Sequence, residues 1–350
     1  MRRSRGRLSA LLVLALVLVA CSTPNEPGKR RPFNPYPFDH VLRLNHVQVL
    51  GTHNSYHRRP SAGVPGSWSN YEHPALPVQL SEQGVRSVEI DVSNTDGFTV
   101  EHDPFFDDRS NCSPLSSCLE RLKRWSDEHP GHIPVFVLLE PKDPSPVFDP
   151  VRDDWDARAF AKLDRTVRSV LGPDDLVTPD DVRGDAPTLR KAVLEHGWPK
   201  LEDVRGKFVV VFHRVALRRE YIGDTRSLEG RPMFVPAYEY APSAAFIEHD
   251  QPNRGEIRRL VRKGFIVRTR ADADGVEVQA DDRSRSLAAI ESGAQIISTD
   301  YPVPDLTISE YVVRLQNERS AACNPVAAPR RCAASHIENA PGLRHRVKSS

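Results

Sequence analysis

Eight short apolar runs rich in Val, Ile and Phe recur along this 350-residue chain: Val47 to Thr52, Arg86 to Asp91, Phe98 to His102, Ile133 to Glu140, Phe208 to His213, Met233 to Ala237, Phe265 to Arg270 and Gln295 to Thr299. Each has the length and composition of a buried strand. Amphipathic stretches separate several of them, with Ala157, Phe160, Leu163, Val167 and Val170 on one helical face, then Thr188 to His196, Arg254 to Lys263 and Arg283 to Ser292. Strands alternating with helices imply a parallel sheet covered by helices. Eight such runs in one domain of this size favour an α/β fold of the closed (β/α)8 TIM-barrel type over an open doubly wound sheet. Thr95-Asp96-Gly97 reads as a hairpin-like turn that leaves no room for a helix between the second and third runs, so the barrel is expected to be irregular. With no internal repeat and no low-complexity break, residues 41–310 read as a single domain.

The flanks have a different chemistry. Arg2, Arg3, Arg5 and Arg7 precede the apolar run Leu11 to Ala20, which is about half of what a bilayer needs and reads as an export signal. The signal ends in Leu18-Val19-Ala20-Cys21, which resembles the bacterial lipobox and implies cleavage before Cys21 and acylation of its thiol; the other reading is an ordinary secretory signal. Residues 21–40 contain Pro24, Pro27, Pro32, Pro35 and Pro37 and read as a linker, and residues 311–350 as a C-terminal tail. The expected product is an exported cell-envelope lipoprotein, or else a secreted protein.

Without residues 1–20 the formal +1 charge becomes 44 basic against 47 acidic side chains, which gives no electrostatic case for nucleic acid. A monomer is expected. With Cys21 acylated, Cys112, Cys118, Cys323 and Cys332 remain, and four cysteines allow three pairings. The local pairing of Cys112 with Cys118 and Cys323 with Cys332 is the one expected here. None of them has the spacing of a zinc site or a CxxC redox motif.

Ionisable residues sit at the ends of the runs. His53-Asn54 follows the first, Glu89 and Asp91 end the second, His102 ends the third and Glu140 ends the fourth. In a barrel the C-terminal strand ends converge on one mouth, and residues two apart on a strand share a face. Carboxylates converging without a cation would repel one another. Oxygen ligands from Asn54, Glu89, Asp91 and Glu140 suit a hard ion such as Ca2+ or Mg2+, which leaves the two histidines for general acid and base work.

Gly51-Thr52-His53-Asn54-Ser55-Tyr56, Glu89-Ile90-Asp91, Glu101-His102-Asp103 and Leu139-Glu140-Pro141-Lys142 resemble the catalytic half of phosphoinositide-specific phospholipase C, in its calcium-dependent bacterial branch. Phe265 to Asp272 and Gly293 to Pro302 extend the resemblance to about residues 45–305. It implies that His53 and His102 are the catalytic histidines, that Asn54, Glu89, Asp91 and Glu140 hold Ca2+, and that the substrate is a phospholipid at a membrane surface, cleaved to diacylglycerol and a cyclic or free inositol phosphate. His102 is assigned as the acid and His53 as the phosphate-side partner or base. Lys142, Arg268 and Arg270 are candidates for binding phosphate or inositol hydroxyls, with ion pairs inside the barrel mouth as the alternative for the arginines. Asp143 after Lys142 departs from the basic cluster of the eukaryotic enzymes and favours plain phosphatidylinositol.

Two competing readings accompany this one. A glycerophosphodiester phosphodiesterase or sphingomyelinase D-like enzyme would share the barrel, but His53 is followed by Asn54-Ser55 where the diesterases start His-Arg-Gly. A non-catalytic lipoprotein that binds inositol or sugar phosphates would use the same cavity without turnover.

Overall fold

The computed structural model describes residues 36–60, 70–142, 153–315 and 320–338. The export signal, Cys21 and the proline-rich linker up to residue 35 lie outside the described residues. Seven parallel strands form the sheet: β1 (Val47–Thr52), β2 (Val85–Val92), β3 (Val135–Pro141), β4 (Phe208–Phe212), β5 (Phe246–Glu248), β6 (Ile266–Arg270) and β7 (Ile296–Thr299). Their order is β4-β3-β2-β1-β7-β6-β5. Between the outer strands β4 and β5 runs the segment Phe234 to Pro236, which bridges Val211 on one side and Phe246 on the other, both in parallel. The sheet therefore curls round as an irregular TIM-type barrel whose eighth stave is reduced to two bridges.

Strand burial follows from this architecture. Every residue of β1, β2, β4 and β7 is buried, as expected where side chains on one face fill the barrel and those on the other meet helices. Gly51 allows a close approach inside the barrel: a β-carbon there would lie 2.9 Å from that of Ser87, its partner on β2. The helix Ala157–Leu171 starts on Asp156, whose carboxylate accepts from the amides of Arg158 and Ala159, and it buries Phe160, Leu163 and Val167. The other three amphipathic stretches form helices Leu189–Glu195, Arg254–Arg262 and Ser284–Ser292, with Thr188 and Asn253 capping the first two.

Two of the eight expected strands are not strands. Phe98 to His102 follows the turn at Thr95-Asp96-Gly97, and only Thr99 bridges, antiparallel, to Ser93. Phe98 and Val100 are apolar because they are buried in the core; the chain doubles back on β2 and never enters the barrel wall. His102 thus stands on a loop above β2 and not at a barrel strand end. Met233 to Ala237 is the segment of isolated bridges already described. Conversely, Phe246–Glu248 supplies β5, and Ala321–Cys323 forms β8, which pairs antiparallel with Val47 to Val49 of β1. Part of the segment after residue 310 is therefore built onto the barrel, and Arg86 anchors it through a buried ion pair with Glu338. The disulfides are Cys112–Cys118 and Cys323–Cys332. Among the described residues, no helix is long and apolar enough to cross a membrane.

Candidate active site

An open cavity of about 400 Å³ occupies the mouth formed by the C-terminal strand ends. It is lined by His53 and Asn54 after β1, Glu89 of β2, His102, Glu140 of β3 with Lys142, His213 after β4, Glu248 of β5 with Asp250, Arg268 and Arg270 of β6 with Asp274, and Asp300 after β7. The register explains the convergence, because Asp91 pairs with Glu140 and Glu248 with Arg268 on neighbouring strands. Of the sequence candidates in the barrel, only Asp91 does not line the cavity. It lies fully buried beneath it, with one carboxylate oxygen 2.6 Å from Lys142 Nζ and accepting from the Tyr56 hydroxyl at 2.7 Å.

Asn54 takes a left-handed backbone (φ 43°), a conformation that asparagine tolerates better than most residues, and this turns the chain at the rim. The turn is pinned by the Ser55 amide donating to the Glu89 carbonyl at 2.8 Å and the His53 amide donating to the Thr299 carbonyl at 3.0 Å. His53 Nδ1 is 2.8 Å from Asp300 Oδ1, and Nε2 is 3.8 Å from Glu89 Oε1. Burial and the Arg270 guanidinium push the His53 pKa well below its ordinary value. His102 is lowered to about 4, by burial and then by the Lys142 ammonium. Both shifts favour the neutral imidazole in the empty cavity, and the charge of an entering anionic phosphodiester works in the opposite direction, towards the imidazolium that a general acid needs.

The cationic side chains are engaged with carboxylates. Arg268, only 2% exposed, reaches Glu89 at 2.7 Å and also pairs with Asp250 and Glu248. Burial is the largest influence on Glu89 and disfavours its ionisation, yet Arg268 together with His53, His213 and Arg270 brings that pKa down to about 2. Arg270 lies 3.3 Å from Asp300 Oδ2. Lys142 Nζ, besides contacting Asp91, is 3.4 Å from Glu140. Burial raises Asp91 to about 7 even against that ammonium. The ion-pair alternative for the arginines is thus the arrangement present, and Lys142 also points into the mouth.

The donor set has room for a cation. Six carboxylates line the cavity against the three cations Lys142, Arg268 and Arg270. The side-chain oxygen of Asn54 and one oxygen of Asp91 are buried without a hydrogen-bond partner, a costly state that a metal ion would relieve. Glu89, Glu140 and His213 offer ligand atoms that all lie within 4.8 Å of one another. His213 was not among the sequence candidates, although it ends its run just as Glu140 does. Both of its ring nitrogens lack a hydrogen-bond partner, and Nε2 lies 3.4 Å from Glu248. Oxygen-rich donors suit calcium, and the His213 imidazole adds a nitrogen to them.

The chain matches the family model for calcium-dependent phosphoinositide phospholipase C over residues 42–98 and 92–325. The chain belongs to that family. The calcium-dependent phosphoinositol-specific phospholipase C of the Gram-negative bacterium Pseudomonas sp. aligns with TM-score 0.58 at 17% identity, over 82% of this chain and 97% of that one. The same Pseudomonas enzyme in its myoinositol complex aligns with TM-score 0.58 over 84% of this chain and 100% of that one. The Ca2+-dependent phosphatidylinositol-specific phospholipase C of Streptomyces antibioticus aligns with TM-score 0.54 at 19% identity, over 75% of this chain and 96% of that one. At these identities the structural likeness establishes the barrel and no more. No curated protein matches the chain. Membership of this phospholipase C family makes calcium the cofactor to be tested against the donor set and sets aside the diesterase reading based on the barrel alone.

Proposed function

We propose that the protein is a calcium-dependent phospholipase C that cleaves the phosphodiester of phosphatidylinositol, or of a related inositol phosphodiester, by paired histidine catalysis. The observation that carries this reading is a single cavity holding two imidazoles with depressed pKa values beside an excess of carboxylates, with the amide oxygen of Asn54 at its rim and one carboxylate oxygen of Asp91 beneath it buried without a hydrogen-bond partner.

Asn54, Glu89, Asp91 and Glu140 would hold calcium, with His213 as a further donor. Bound calcium supplies positive charge that acidifies the inositol hydroxyl and offsets charge on the five-coordinate phosphorus. His53, with Nδ1 fixed by Asp300, presents Nε2 to the cavity and takes the hydroxyl proton, or steadies the phosphate while a carboxylate of the cavity takes that proton. His102 gives a proton to the glycerol oxygen as the phosphorus–oxygen bond to it breaks and the bond to the inositol oxygen forms, giving diacylglycerol and a cyclic inositol phosphate. Arg270 and Lys142 face the incoming phosphate with positive charge, whereas Arg268, held by three carboxylates, orients Glu89.

Substrate reaches the mouth from a lipid surface. Phe105 and Phe106, 61% and 66% exposed, project from the loop beyond His102, where Asp103 accepts from both of their amides at 2.9 and 2.8 Å. Leu306, 76% exposed, follows β7 at the same end of the barrel. Each phenylalanine buried in lipid is worth roughly 1.5–3 kcal/mol, so replacing either with Ser lowers binding to phosphatidylinositol vesicles about ten- to a hundredfold in a sedimentation assay. Unchanged vesicle binding by the double variant would remove this loop from the membrane contact.

The anchor is proposed from sequence. Cys21 carries the lipid of an envelope lipoprotein, and the proline-rich linker sets the barrel off from the membrane. Cys21→Ala is expected to move the protein from the membrane fraction to the soluble fraction; an identical distribution of both forms speaks for an ordinary secretory signal.

A further inference from the structure

Asp107 does not line the cavity, yet it sits directly behind one of the two imidazoles. The loop that carries His102 doubles back on itself: the amides of His102 and Asp103 donate to the Asp107 carbonyl at 3.2 and 3.0 Å, and the Asp107 amide donates to the Asp103 carbonyl at 3.1 Å. This brings the Asp107 carboxylate inward, where its side chain is 1% exposed. His57 Nε2 donates to its two oxygens at 2.9 and 3.0 Å. His57 is itself fully enclosed, with its ring against Tyr71 at a centroid distance of 4.5 Å, and its loop is tied to the neighbouring one through the His57–Ser110 bridge.

A buried carboxylate accepts more than one hydrogen bond, and His57 fills only part of that capacity. The remaining acceptor capacity faces His102: Asp107 Oδ2 lies 3.6 Å from His102 Nδ1. A carboxylate behind Nδ1 selects the tautomer, turns Nε2 outward and stabilises the imidazolium form. Catalytic hydrogen bonds in the empty state are often long and tighten when substrate is bound.

We propose that Asp107, clamped by His57, is a positioning residue for His102: through Nδ1 it orients the ring so that Nε2 delivers its proton to the leaving glycerol oxygen. The other imidazole has a carboxylate of its own, with Asp300 Oδ1 2.8 Å from His53 Nδ1. The proposal rests on the reading of His102 as the general acid given above.

The test uses leaving groups of different basicity. The folded full chain and Asp107→Asn are assayed with calcium on phosphatidylinositol and on an inositol phosphodiester of 4-nitrophenol. The alkoxide of diacylglycerol needs a proton to depart, whereas nitrophenolate does not. Asp107→Asn is expected to lower kcat on phosphatidylinositol by about 10²- to 10⁴-fold with KM nearly unchanged, and on the nitrophenyl ester by less than about fivefold. Added to His102→Ala, it should cost nothing further. If Asp107→Asn does not fold, His57→Gln, which keeps an N–H donor for Asp107 but loosens the clamp, should show the same leaving-group contrast with a smaller loss. Equal losses on both substrates, or losses that add to those of His102→Ala, overturn the positioning role. If His102→Ala itself loses equally on both substrates, the acid assignment fails and Asp107 falls with it; if the wild-type chain cleaves neither substrate, the proposed function fails as a whole.

Discussion

Removing calcium is expected to stop the release of inositol phosphate from phosphatidylinositol. The mouth of the barrel carries six carboxylates against three cations, with a seventh carboxylate, that of Asp91, buried beneath. An anionic phosphodiester approaching this surface meets a net negative mouth, because Lys142, Arg268 and Arg270 are ion-paired and outnumbered by the carboxylates, so a further cation is needed to offset the repulsion. A metal contributing several kcal/mol of transition-state charge stabilisation corresponds to about a hundredfold or more in rate. A chelator should therefore lower turnover by at least that factor, and added Ca2+ should restore it. Glu140→Gln removes one carboxylate charge from the cluster with Glu89 and His213 and should weaken calcium binding in calorimetry as well as lower turnover. Turnover that persists in chelator, with folded protein and no bound metal, would refute the calcium assignment.

The second large effect belongs to the histidines. His53→Ala and His102→Ala should each reduce kcat by about 10²- to 10⁴-fold, and the double variant should lose much less than the product of the two, because both act in one proton-transfer sequence. His53 has its Nδ1 engaged by Asp300 at 2.8 Å, so its Nε2 is the nitrogen available to substrate. Inositol phosphate should still bind to both single variants, since the cations and carboxylates of the cavity are untouched. Binding retained alongside unimpaired turnover would contradict the catalytic roles, and binding with no turnover in the wild-type chain would favour a non-catalytic inositol-phosphate receptor.

Most of the barrel was legible because a parallel strand buried on both faces leaves a compact apolar run, and six of the eight runs became β1 to β4, β6 and β7. The two misplaced runs show the limit of that signal. Phe98 and Val100 are as buried as any barrel residue, but their burial comes from packing after a tight turn, and hydropathy does not distinguish the two situations. The strand Phe246–Glu248 is three residues long and too short to register as a run, although the barrel needs it to carry Glu248 and to place Asp250. For the site, strand-end position was the useful clue. It picked out His53, Asn54, Glu89, Glu140, Arg268 and Arg270, all of which line one cavity, along with Asp91, which lies beneath it, and His102, which reaches it from a loop. Applied to the fifth run it would also have found His213. Asp107 and His57 lie on loops, away from strand ends, and nothing in their spacing announces that they meet.

By itself the sequence determined the wall of the molecule and which ionisable groups stand at its upper rim, because strand periodicity and parallel topology leave those positions little freedom. Only the tertiary structure decided the pairing of charges within the rim: that Arg268 serves Glu89, that Lys142 covers Asp91, and that Asp107 stands behind His102. Such pairings depend on separations of a few ångströms between residues up to 179 positions apart. Side-chain electrostatics at that range is set by how the loops close over the barrel, a three-dimensional property that no local pattern of residues encodes.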